Sequence, residues 1–374
     1  MSMRWKGGFI QTWFDPLTPG STVYGLWSWG NNPYGELGLG NTTNYSSPKQ
    51  VGALTNWLSV SCGLTNTVSV KTDGTLWSWG KNDYGQLGLG NKTYYSSPKQ
   101  VGALTNWSSV SCGYGHTVSI KTDGTLWSWG WNGYGQLGLS NTTAYSSPKQ
   151  VGALTNWSSV SCGQYHTASI KTDGTLWSWG YNSHGQLGLG NQTYYSSPKQ
   201  VGALTNWSSV SCGRLQTVSI KTDGTLWSWG LNQYGQLGLG NTTNYSSPKQ
   251  VGVLTSWSSV SCGYLHTVSI KTDGTLWSWG FNGQGQLGLN NMTNYSSPKQ
   301  VGALTNWLSV SCGRYHTVSI KTDGTLWSWG FNYYGQLGLG NTTYFSSPKQ
   351  VGTLTSWTKL FKGCLINSTL AISS

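Results

Sequence analysis

Charged side chains are scarce in this sequence: Lys, Arg, Asp and Glu make up 8% of its 374 residues, and only 9 residues are acidic. Gly (53), Trp (24) and Tyr (21) are abundant instead, which excludes the charge-rich, aromatic-poor composition of a disordered chain. Long hydrophobic runs are also missing, since no stretch approaches the roughly 18 to 20 apolar residues of a membrane-spanning helix. The first residues, Met1 to Gly8, contain no apolar segment typical of a secretory signal peptide. We therefore expect a folded protein that is synthesised in the cytoplasm and does not span a membrane.

A short string recurs along the whole chain. Trp-Ser-Trp-Gly begins at Trp27, Trp77, Trp127, Trp177, Trp227, Trp277 and Trp327, each copy 50 residues after the last. A fixed period near 50 indicates supersecondary units that stack in one array. The units are nearly identical, so the few positions that differ between them are informative.

Each unit contains four short apolar or alternating segments and no helical period. In one unit they are Trp107–Cys112, His116–Lys121, Leu126–Trp129 and a brief fourth segment, Lys149–Val151. Asp123-Gly124 is typical of a tight turn between the second and third segments. A long loop from Gly130 to Pro148 precedes the fourth, which the proline suits to an outer edge. Four antiparallel strands in seven units predict an all-β, seven-bladed β-propeller.

The two ends of the chain complement each other. The repeat begins on a third strand, Leu26–Trp29, and finishes with Trp357–Leu360 and Ser368–Ile372, which match the first and second strands. We expect one composite blade, residues 22–52 plus 357–374, that closes a propeller spanning residues 22–374. Residues 1–21 form an N-terminal arm outside the repeat. Its apolar side chains either pack over a rim or contact a partner: Trp5, Phe9, Ile10, Trp13 and Phe14.

Six of the seven cysteines occupy one position of the repeat: Cys62, Cys112, Cys162, Cys212, Cys262 and Cys312. Disulfides pair cysteines within a compact region, and metal sites need several converging ligands, so one cysteine per unit fits neither. We interpret them as small buried hydrophobic residues. Cysteines that are not expected to form disulfides favour folding in a reducing cytoplasm.

The string Gly-x-x-His-Thr-x-x-Ile-x-x-Asp-Gly-x-Leu-x-x-Trp-Gly-x-Asn-x-x-Gly-Gln-Leu-Gly runs from Gly113 to Gly138. It resembles the regulator of chromosome condensation repeat, and the resemblance covers residues 22–374. It implies a seven-bladed propeller, in agreement with the strand count. The eponymous member is a nucleotide exchange factor on chromatin, and relatives include a plant ultraviolet photoreceptor and a bacterial inhibitor of β-lactamases.

The resemblance does not fix a function. The photoreceptor places Trp and Arg directly after the Gly of Gly-x-x-His-Thr. The pairs here contain no Trp: Tyr114-Gly115, Gln164-Tyr165, Arg214-Leu215, Tyr264-Leu265 and Arg314-Tyr315. Light sensing is therefore not expected, and the scarcity of acidic and charged residues disfavours exchange-factor activity. The fourteen Trp of the Trp-Ser-Trp strings are interpreted as blade packing.

The net charge of +12 arises from the repeat. Most Asp residues lie in Lys-Thr-Asp-Gly turns, from Lys71 and Asp73 to Lys321 and Asp323, where each Lys is offset by its neighbour. Seven lysines that follow prolines have no such acid: Lys49, Lys99, Lys149, Lys199, Lys249, Lys299 and Lys349. This lysine ring either attracts an anionic partner, such as nucleic acid, lipopolysaccharide or an acidic protein, or simply keeps outer strand edges soluble.

Differences between the units fall on one side of the predicted propeller. Because strands alternate in direction, the first-to-second and third-to-fourth loops share one face, which we call the variable face. The other two loops share the constant face, where Lys-Thr-Asp-Gly-Thr is unchanged in six units. The variable face carries the Tyr, Trp, Arg and Phe residues that anchor interfaces.

We expect this variable face to be a recognition surface. Its candidate binding residues are Lys81, Asp83, Tyr94, Tyr114, Trp131, Tyr134, Tyr165, Tyr181, His184, Tyr194, Arg214, Leu215, Leu231, Tyr264, Leu265, Phe281, Arg314, Tyr315, Phe331, Tyr333 and Tyr344.

Other motifs favour structural explanations. Gly135–Gly138 recurs in every unit without a following helix, so it predicts turn backbone and not a phosphate loop; Ser140 and Asn290 replace the last Gly of this turn region in two units. One slot holds His116, His166, His266 and His316 but also Asn66 and Gln216, which indicates a hydrogen-bonding position. The Asn-x-Thr strings are interpreted as turns. No catalytic residue, metal site or cofactor is predicted.

The preferred hypothesis is a non-enzymatic protein that binds a macromolecule, namely a protein or glycan on a cell or virion surface. A phage receptor-binding or decoration protein, or a bacterial adhesin, would fit this description. One alternative is an assembly protein that docks to a scaffold through its constant face. Another is a nucleic-acid-associated propeller that uses the lysine ring. The oligomeric state is left open.

Overall fold

The computed structural model of this chain describes residues 25–361 and 367–373. They form seven four-stranded antiparallel sheets, each a blade of a β-propeller. The all-β, seven-bladed fold predicted from the repeat is confirmed. The N-terminal arm and the first residues of the predicted propeller, 22–24, lie outside the described residues.

Within each blade the strands follow one another from the axis outward, and the four positions have these bounds. The first strands are Trp57–Cys62, Trp107–Cys112, Trp157–Cys162, Trp207–Cys212, Trp257–Cys262, Trp307–Cys312 and Trp357–Leu360. The second strands are Asn66–Lys71, His116–Lys121, His166–Lys171, Gln216–Lys221, His266–Lys271, His316–Lys321 and Ser368–Ser373. The third strands are Gly25–Gly30, Leu76–Gly80, Leu126–Gly130, Leu176–Gly180, Leu226–Gly230, Leu276–Gly280 and Leu326–Gly330. The fourth strands are Tyr45–Thr55, Tyr95–Gln100, Tyr145–Gln150, Tyr195–Gln200, Tyr245–Gln250, Tyr295–Gln300 and Phe345–Gln350.

The fourth strand was predicted wrongly in its bounds. It spans Tyr145–Gln150 instead of Lys149–Val151, so Pro148 lies inside the strand and the preceding loop ends earlier. Its pairing with the third strand is interrupted between Tyr145 and Lys149. A proline has no N–H to donate, and this irregularity on an edge strand accommodates it without the loss of a ladder hydrogen bond. Its outer-edge position is as predicted.

The composite blade joins the two ends of the chain. Its sheet has the order Tyr45–Thr55, Gly25–Gly30, Ser368–Ser373 and Trp357–Leu360. Leu26 lies opposite Ile372 and Trp29 opposite Thr369, in an uninterrupted register of six pairs. The C-terminal strands therefore complete the blade that the N-terminal strands begin, as the sequence predicts.

The first strands surround the axis and are joined from blade to blade. The backbone N–H of Cys162 donates to Ser111 Oγ at 2.9 Å, and that of Cys212 donates to Ser161 Oγ at 2.9 Å. All six cysteines of this position are buried. Burial raises the pKa of the Cys212 thiol to about 12, so this cysteine is a neutral packing residue, in line with the sequence prediction.

The second Trp of each Trp-Ser-Trp string fills the space between neighbouring blades. Trp129 is fully buried and clusters with Val68, Val70 and Leu76 of the preceding blade. Its Nε1 donates to the backbone carbonyl of Gln86, also in that blade, at 2.9 Å. The indole combines a large apolar area with a satisfied donor, so it stabilises the contact between blades.

The Lys-Thr-Asp-Gly turn is a tight hairpin, as predicted, but its Lys and Asp form no ion pair. Lys121 Nζ lies 3.8 Å from the centroid of the Trp127 ring and 4.9 Å from that of Trp107. Asp123 Oδ1 instead accepts hydrogen bonds from the N–H and Oγ1 of Thr125, at 2.9 and 2.7 Å. The lysine therefore covers the aromatic edge of the blade through a cation–π contact.

Candidate functional site

The two loops of the variable face are hydrogen-bonded to each other. The N–H of Trp131, in a third-to-fourth loop, donates to the carbonyl of Gly115, in a first-to-second loop, at 2.7 Å. On the opposite side the N–H of Trp107 donates to the carbonyl of Gly74, which joins a fourth-to-first loop to a second-to-third turn. Each face is thus built from the pair of loops that the strand order requires.

A buried asparagine holds each third-to-fourth loop in shape. Asn132 Oδ1 accepts from the N–H of Leu137 at 2.9 Å, and its Nδ2 donates to the carbonyls of Asn141 and Thr143 at 2.9 and 3.0 Å. Asn141 Oδ1 in turn accepts from the N–H of Thr143, which supports the turn interpretation of the Asn-x-Thr strings. The residues on either side of Asn132 are then free to vary without loss of the loop.

One variable position alternates between two roles. Where it holds asparagine, the side chain closes the loop: Asn44, Asn244 and Asn294 Oδ1 accept from the N–H of Asn32, Asn232 and Asn282 at 2.7 Å. Where it holds tyrosine, the side chain projects outward. Tyr94, Tyr194 and Tyr344 are 43%, 44% and 37% exposed. A tyrosine at this position therefore lacks the hydrogen bond that closes the loop and exposes an aromatic ring instead.

The aromatic side chains of the variable face contact one another both within blades and across them. Trp131 lies 5.2 Å from Tyr165 between ring centroids, and Tyr134 lies 4.7 Å from Tyr181. Further contacts join Tyr114 to Tyr165, Tyr181 to Tyr194, Tyr264 to Tyr315, Phe281 to Tyr315, Tyr315 to Phe331, Phe331 to Tyr344, and Phe331 to Tyr333. Rings held by their neighbours in this way lose little entropy when a partner binds.

Three of the predicted binding residues are buried and are not exposed on the variable face. Leu215, Leu231 and Leu265 are 7%, 5% and 6% exposed and form one cluster. Tyr165, Tyr181, Tyr264, Phe281 and Tyr315 pack against this cluster. The leucines therefore support the centre of the variable face from beneath, because neighbouring aromatic rings cover them.

Charged residues of the variable face occupy two places. Lys81 Nζ is 2.8 Å from Asp83 Oδ2, and this contact raises the pKa of Lys81. Tyr94 also hydrogen-bonds to Asp83. Elsewhere, Arg214 and Arg314 lie over the ring of Tyr264, with no carboxylate within ion-pair distance among the described residues.

Sequence reasoning missed several contributors. Gln164 is buried and accepts a hydrogen bond from Arg214 Nε at 3.1 Å. Tyr34 packs against Tyr94 and Lys81, and Tyr84 and Tyr234 contact Trp131 and Phe281. These tyrosines recur at one repeat position, of which only Tyr134 and His184 were predicted to bind a partner. Because this position is tyrosine in most units, the comparison of units did not identify these tyrosines as part of the variable face.

Beneath the variable face, the histidine slot links neighbouring blades. Thr167 Oγ1 donates its one proton to the carbonyl of Gln136 at 2.9 Å, so it can only accept from His116 Nε2 at 3.2 Å. Burial, with a smaller contribution from His166, lowers the pKa of His116 to about 3. The histidine is therefore a neutral donor between blades, and Gln216 serves in the same way by donating to the carbonyl of Gly263 at 3.1 Å.

The constant face presents a different and uniform chemistry. A half-exposed leucine follows six of the seven fourth strands, and these six are 46% to 50% exposed: Leu104, Leu154, Leu204, Leu254, Leu304 and Leu354. The lysine ring lies on the outer strands, with each Nζ 5.4 to 5.6 Å from the ring of the aromatic residue four positions earlier, for example Lys149 over Tyr145. Both features repeat in nearly every blade.

Residues 25–361 and 367–373 contain no group of three or more His, Cys, Asp or Glu placed to hold a metal ion. Within the same ranges there is no helix of the length and hydrophobicity that crossing a bilayer requires.

Sequence comparison identifies the repeat. The model of the Regulator of chromosome condensation (RCC1) repeat matches seven segments, 25–70, 73–120, 123–170, 173–220, 223–270, 273–320 and 323–364. A second model of the same repeat matches six segments, 57–86, 107–136, 157–186, 207–236, 257–286 and 307–336. The matches cover most of the chain and follow its 50-residue period.

Solved structures share the architecture. Human WBSCR16 is 22% identical, with a TM-score of 0.83 over 94% of this chain and 99% of that protein. Prp20p from Saccharomyces cerevisiae, described with its binding properties to Gsp1p and histones, is 20% identical, with a TM-score of 0.82 over 94% and 91%. Yeast RCC1 (Prp20) bound to Kap60 is 19% identical, with a TM-score of 0.81 over 98% and 96%. At these identities the likeness establishes the fold alone.

Proposed function

This chain belongs to the regulator of chromosome condensation (RCC1) repeat family, and from that premise we propose that it is a non-catalytic binding protein that holds a protein partner on its variable face. The structurally similar protein Prp20p has been studied for its binding to Gsp1p and histones, and it has also been solved in a complex with Kap60. A protein partner is accordingly the macromolecule that the comparisons favour for this chain.

The observation that carries the proposal is the position shared by Asn44 and Tyr94. Asn44 completes the loop with a 2.7 Å hydrogen bond, and Asn244 and Asn294 do the same. Tyr94 and its equivalents lack that bond and expose an aromatic ring instead. Fold stability alone favours asparagine at this position, because a side chain that satisfies a backbone donor typically contributes about 1 kcal/mol. Exposed tyrosines in its place suit contact with a partner.

The test uses the chain's own alternatives. The triple variant Tyr94→Asn, Tyr194→Asn, Tyr344→Asn places at three blades the residue that three other blades already hold, so it should fold. The control Leu104→Asn, Leu204→Asn, Leu304→Asn changes three side chains of similar exposure on the constant face. Affinity capture from an extract of the source cells, with each protein as bait, measures the partner retained at a series of bait concentrations.

We expect the tyrosine variant to bind the partner of the wild-type protein on the order of tenfold more weakly, and the leucine variant to bind it unchanged. Equal retention by the tyrosine variant would exclude the variable face as the binding surface.

The leucines of the constant face favour a second candidate function. Half-exposed apolar side chains at one position in six or more blades form a regular ring of the kind that docks onto a scaffold. This assembly role predicts the reverse result, with loss of the partner in the leucine variant alone.

Two finer hypotheses stay as predictions from the sequence. The likeness to human WBSCR16 and to yeast Prp20p adds no support to a receptor-binding role on a virion. The nucleic-acid role of the lysine ring predicts binding to generic DNA that weakens steeply as salt is added.

A further inference from the structure

We propose that Arg214, Tyr264 and Arg314 form a carboxylate-binding subsite, which receives an aspartate or glutamate side chain from an acidic segment of a protein. This inference rests on the proposed function, because it assigns a chemical class to the partner of the variable face. The three residues occupy the same position in three successive first-to-second loops, and Gln164 holds that position in the blade before them.

One tyrosine ring brings the two arginines together. The Arg214 guanidinium carbon lies 4.6 Å from the Tyr264 ring centroid, and that of Arg314 lies 4.9 Å from the same centroid. Arg314 is also 5.4 Å from the ring of Tyr315. These cation–π contacts hold both guanidinium groups against rings that are themselves packed on the buried leucine cluster.

Gln164 orients the first guanidinium. Its Oε1 accepts from Arg214 Nε at 3.1 Å, which leaves the terminal nitrogens of Arg214 available for a ligand. His184 lies near enough to Arg214 for the arginine's charge to help burial lower the His184 pKa, so this histidine is a neutral neighbour. A guanidinium fixed through Nε and by stacking is already arranged for bidentate recognition of a carboxylate.

The charge of this pair is uncompensated. The described residues contain one ion pair, Lys81 with Asp83, in a loop of another blade. The turn acids such as Asp123 belong to the constant face, and Glu36 is buried in the composite blade. Arg314 Nε is itself buried and has no hydrogen-bond acceptor among the described residues. A buried donor on a charged group is costly when unsatisfied, and a bound carboxylate would satisfy it.

The surroundings favour a carboxylate over a nucleic-acid backbone. A phosphodiester strand requires a row of cations along its path. The rings that the two arginines contact, Tyr264 and Tyr315, instead belong to an uncharged cluster of leucines and aromatic residues. Lys81, a cation elsewhere on this face, is already paired. Two neighbouring guanidiniums among aromatic and apolar side chains are suited to bind one or two carboxylates of a protein segment.

The test measures binding of three fluorescein-labelled probes to the full-length protein: hexaglutamate, hexaglutamine and the oligonucleotide dT10. The variant Arg214→Gln, Arg314→Gln places at both positions the residue found at Gln164, so the fold tolerates it. The control Lys249→Gln, Lys299→Gln removes the same charge from exposed lysines of the outer strands. The variant Arg214→Lys, Arg314→Lys keeps the charge but not the fork of donors.

We expect hexaglutamate to bind the wild type and the lysine-ring control equally, and to bind the arginine-to-glutamine variant at least about tenfold more weakly. The affinity of the arginine-to-lysine variant for hexaglutamate should lie between those of the wild type and the arginine-to-glutamine variant. Hexaglutamine should bind none of the proteins. Absence of hexaglutamate binding to the wild type would overturn the proposal. So would equal losses in the arginine and lysine-ring variants, or preferred binding of dT10, which would indicate a nucleic-acid ligand.

The two proposals fail separately. If the arginine-to-glutamine variant still captures the cellular partner while the tyrosine-to-asparagine variant loses it, the carboxylate subsite is wrong and the recognition face stands. If hexaglutamate binding depends on the arginines but the tyrosine variant retains the partner, the subsite is supported as an anion site and the proposed function is wrong.

Discussion

The indole of Trp29 donates its Nε1–H to the backbone carbonyl of Gln336 at 3.0 Å, which joins two residues 307 positions apart. The same bond links every other pair of neighbouring blades, for example Trp179 to the carbonyl of Gln136 at 2.9 Å. The boundary at which the two ends of the chain meet is therefore built like a boundary in the interior of the repeat.

This equivalence predicts the effect of removing the bond. Trp29→Phe should lower the free energy of unfolding by about 1 to 3 kcal/mol, because it removes apolar area and one of the two hydrogen bonds that the buried Gln336 carbonyl accepts, the other coming from Thr369 Oγ1. Trp179→Phe, inside the array, is the matched control and should lower the free energy of unfolding by the same amount. Urea denaturation followed by circular dichroism measures both. A much smaller loss for Trp29→Phe would mean that the ring is weakly closed.

Most of the fold was predictable from the sequence, and the reason lies in the repeat. Alternating residues such as Val118 and Ile120 recur in unit after unit, so local patterns identify the strands. Pro148 misled the prediction of the fourth strand, because the pairing irregularity that accommodates a proline is a property of two strands together. The composite blade was predictable because the two ends match complementary parts of one unit.

The candidate site was only partly predictable. Comparison of the units separates variable from constant positions, but it does not say which variable side chains are exposed. Leu231 follows a Trp-Gly pair just as Trp131 does, yet neighbouring rings bury it. The meeting of Arg214 and Arg314 on Tyr264 depends on side-chain directions across three blades, which no spacing in the sequence encodes.

The histidine slot predicts a loss of stability in acid. Burial lowers the pKa of His116, His166, His266 and His316 from 6.5 to about 3. The unfolded chain therefore binds protons that the folded chain does not, so stability is complete above pH 6.5 and is lost as the pH falls towards 3. At pH 5 each of these histidines should lower the free energy of unfolding by about 2 kcal/mol relative to its value well above pH 6.5.

Replacement of these four histidines by glutamine should remove that dependence, since Gln216 already occupies the same slot. Urea midpoints at pH 7.5 and pH 5 should differ much less for the variant than for the wild type. His166→Gln alone provides a milder form of the same comparison. An unchanged difference between the two pH values would show that other groups control acid stability.

Glu36 predicts the opposite pH dependence. Burial raises its pKa from 4.5 to about 7, against the lowering effect of hydrogen bonds that include the one from the N–H of Tyr34. The six other blades hold glutamine at this position, as at Gln86. Since the folded pKa is raised, the stability that Glu36 contributes is present below pH 4.5 and is lost as the pH rises through 7.

Glu36→Gln should therefore raise the free energy of unfolding by about 2 to 3 kcal/mol at pH 8, and by much less at pH 4.5. Thermal or urea denaturation at the two pH values measures the difference. A gain of equal size at both pH values would point to packing instead of ionisation.

Ser140 predicts a stabilising substitution in a loop. Its φ is 60°, a left-handed conformation that glycine adopts at the equivalent Gly90 and Gly190. Ser140→Gly should relieve that strain and raise the free energy of unfolding by about 0.5 to 1 kcal/mol. Asn290 has φ 59° at the equivalent position, but asparagine tolerates this region, so Asn290→Gly should gain less. A larger gain at Asn290 than at Ser140, from differential scanning calorimetry, would contradict this account.

The central claim, that the variable face binds the partner, is tested most directly by hydroxyl-radical footprinting of the wild-type protein, alone and in an extract of its source cells. We predict that Tyr94, Tyr194, Tyr344 and the 65% exposed Tyr333 lose reactivity when the partner binds, while Leu104, Leu204 and Leu304 of the constant face do not. Protection of the leucines with no change at the tyrosines would contradict the claim and place the partner on the constant face.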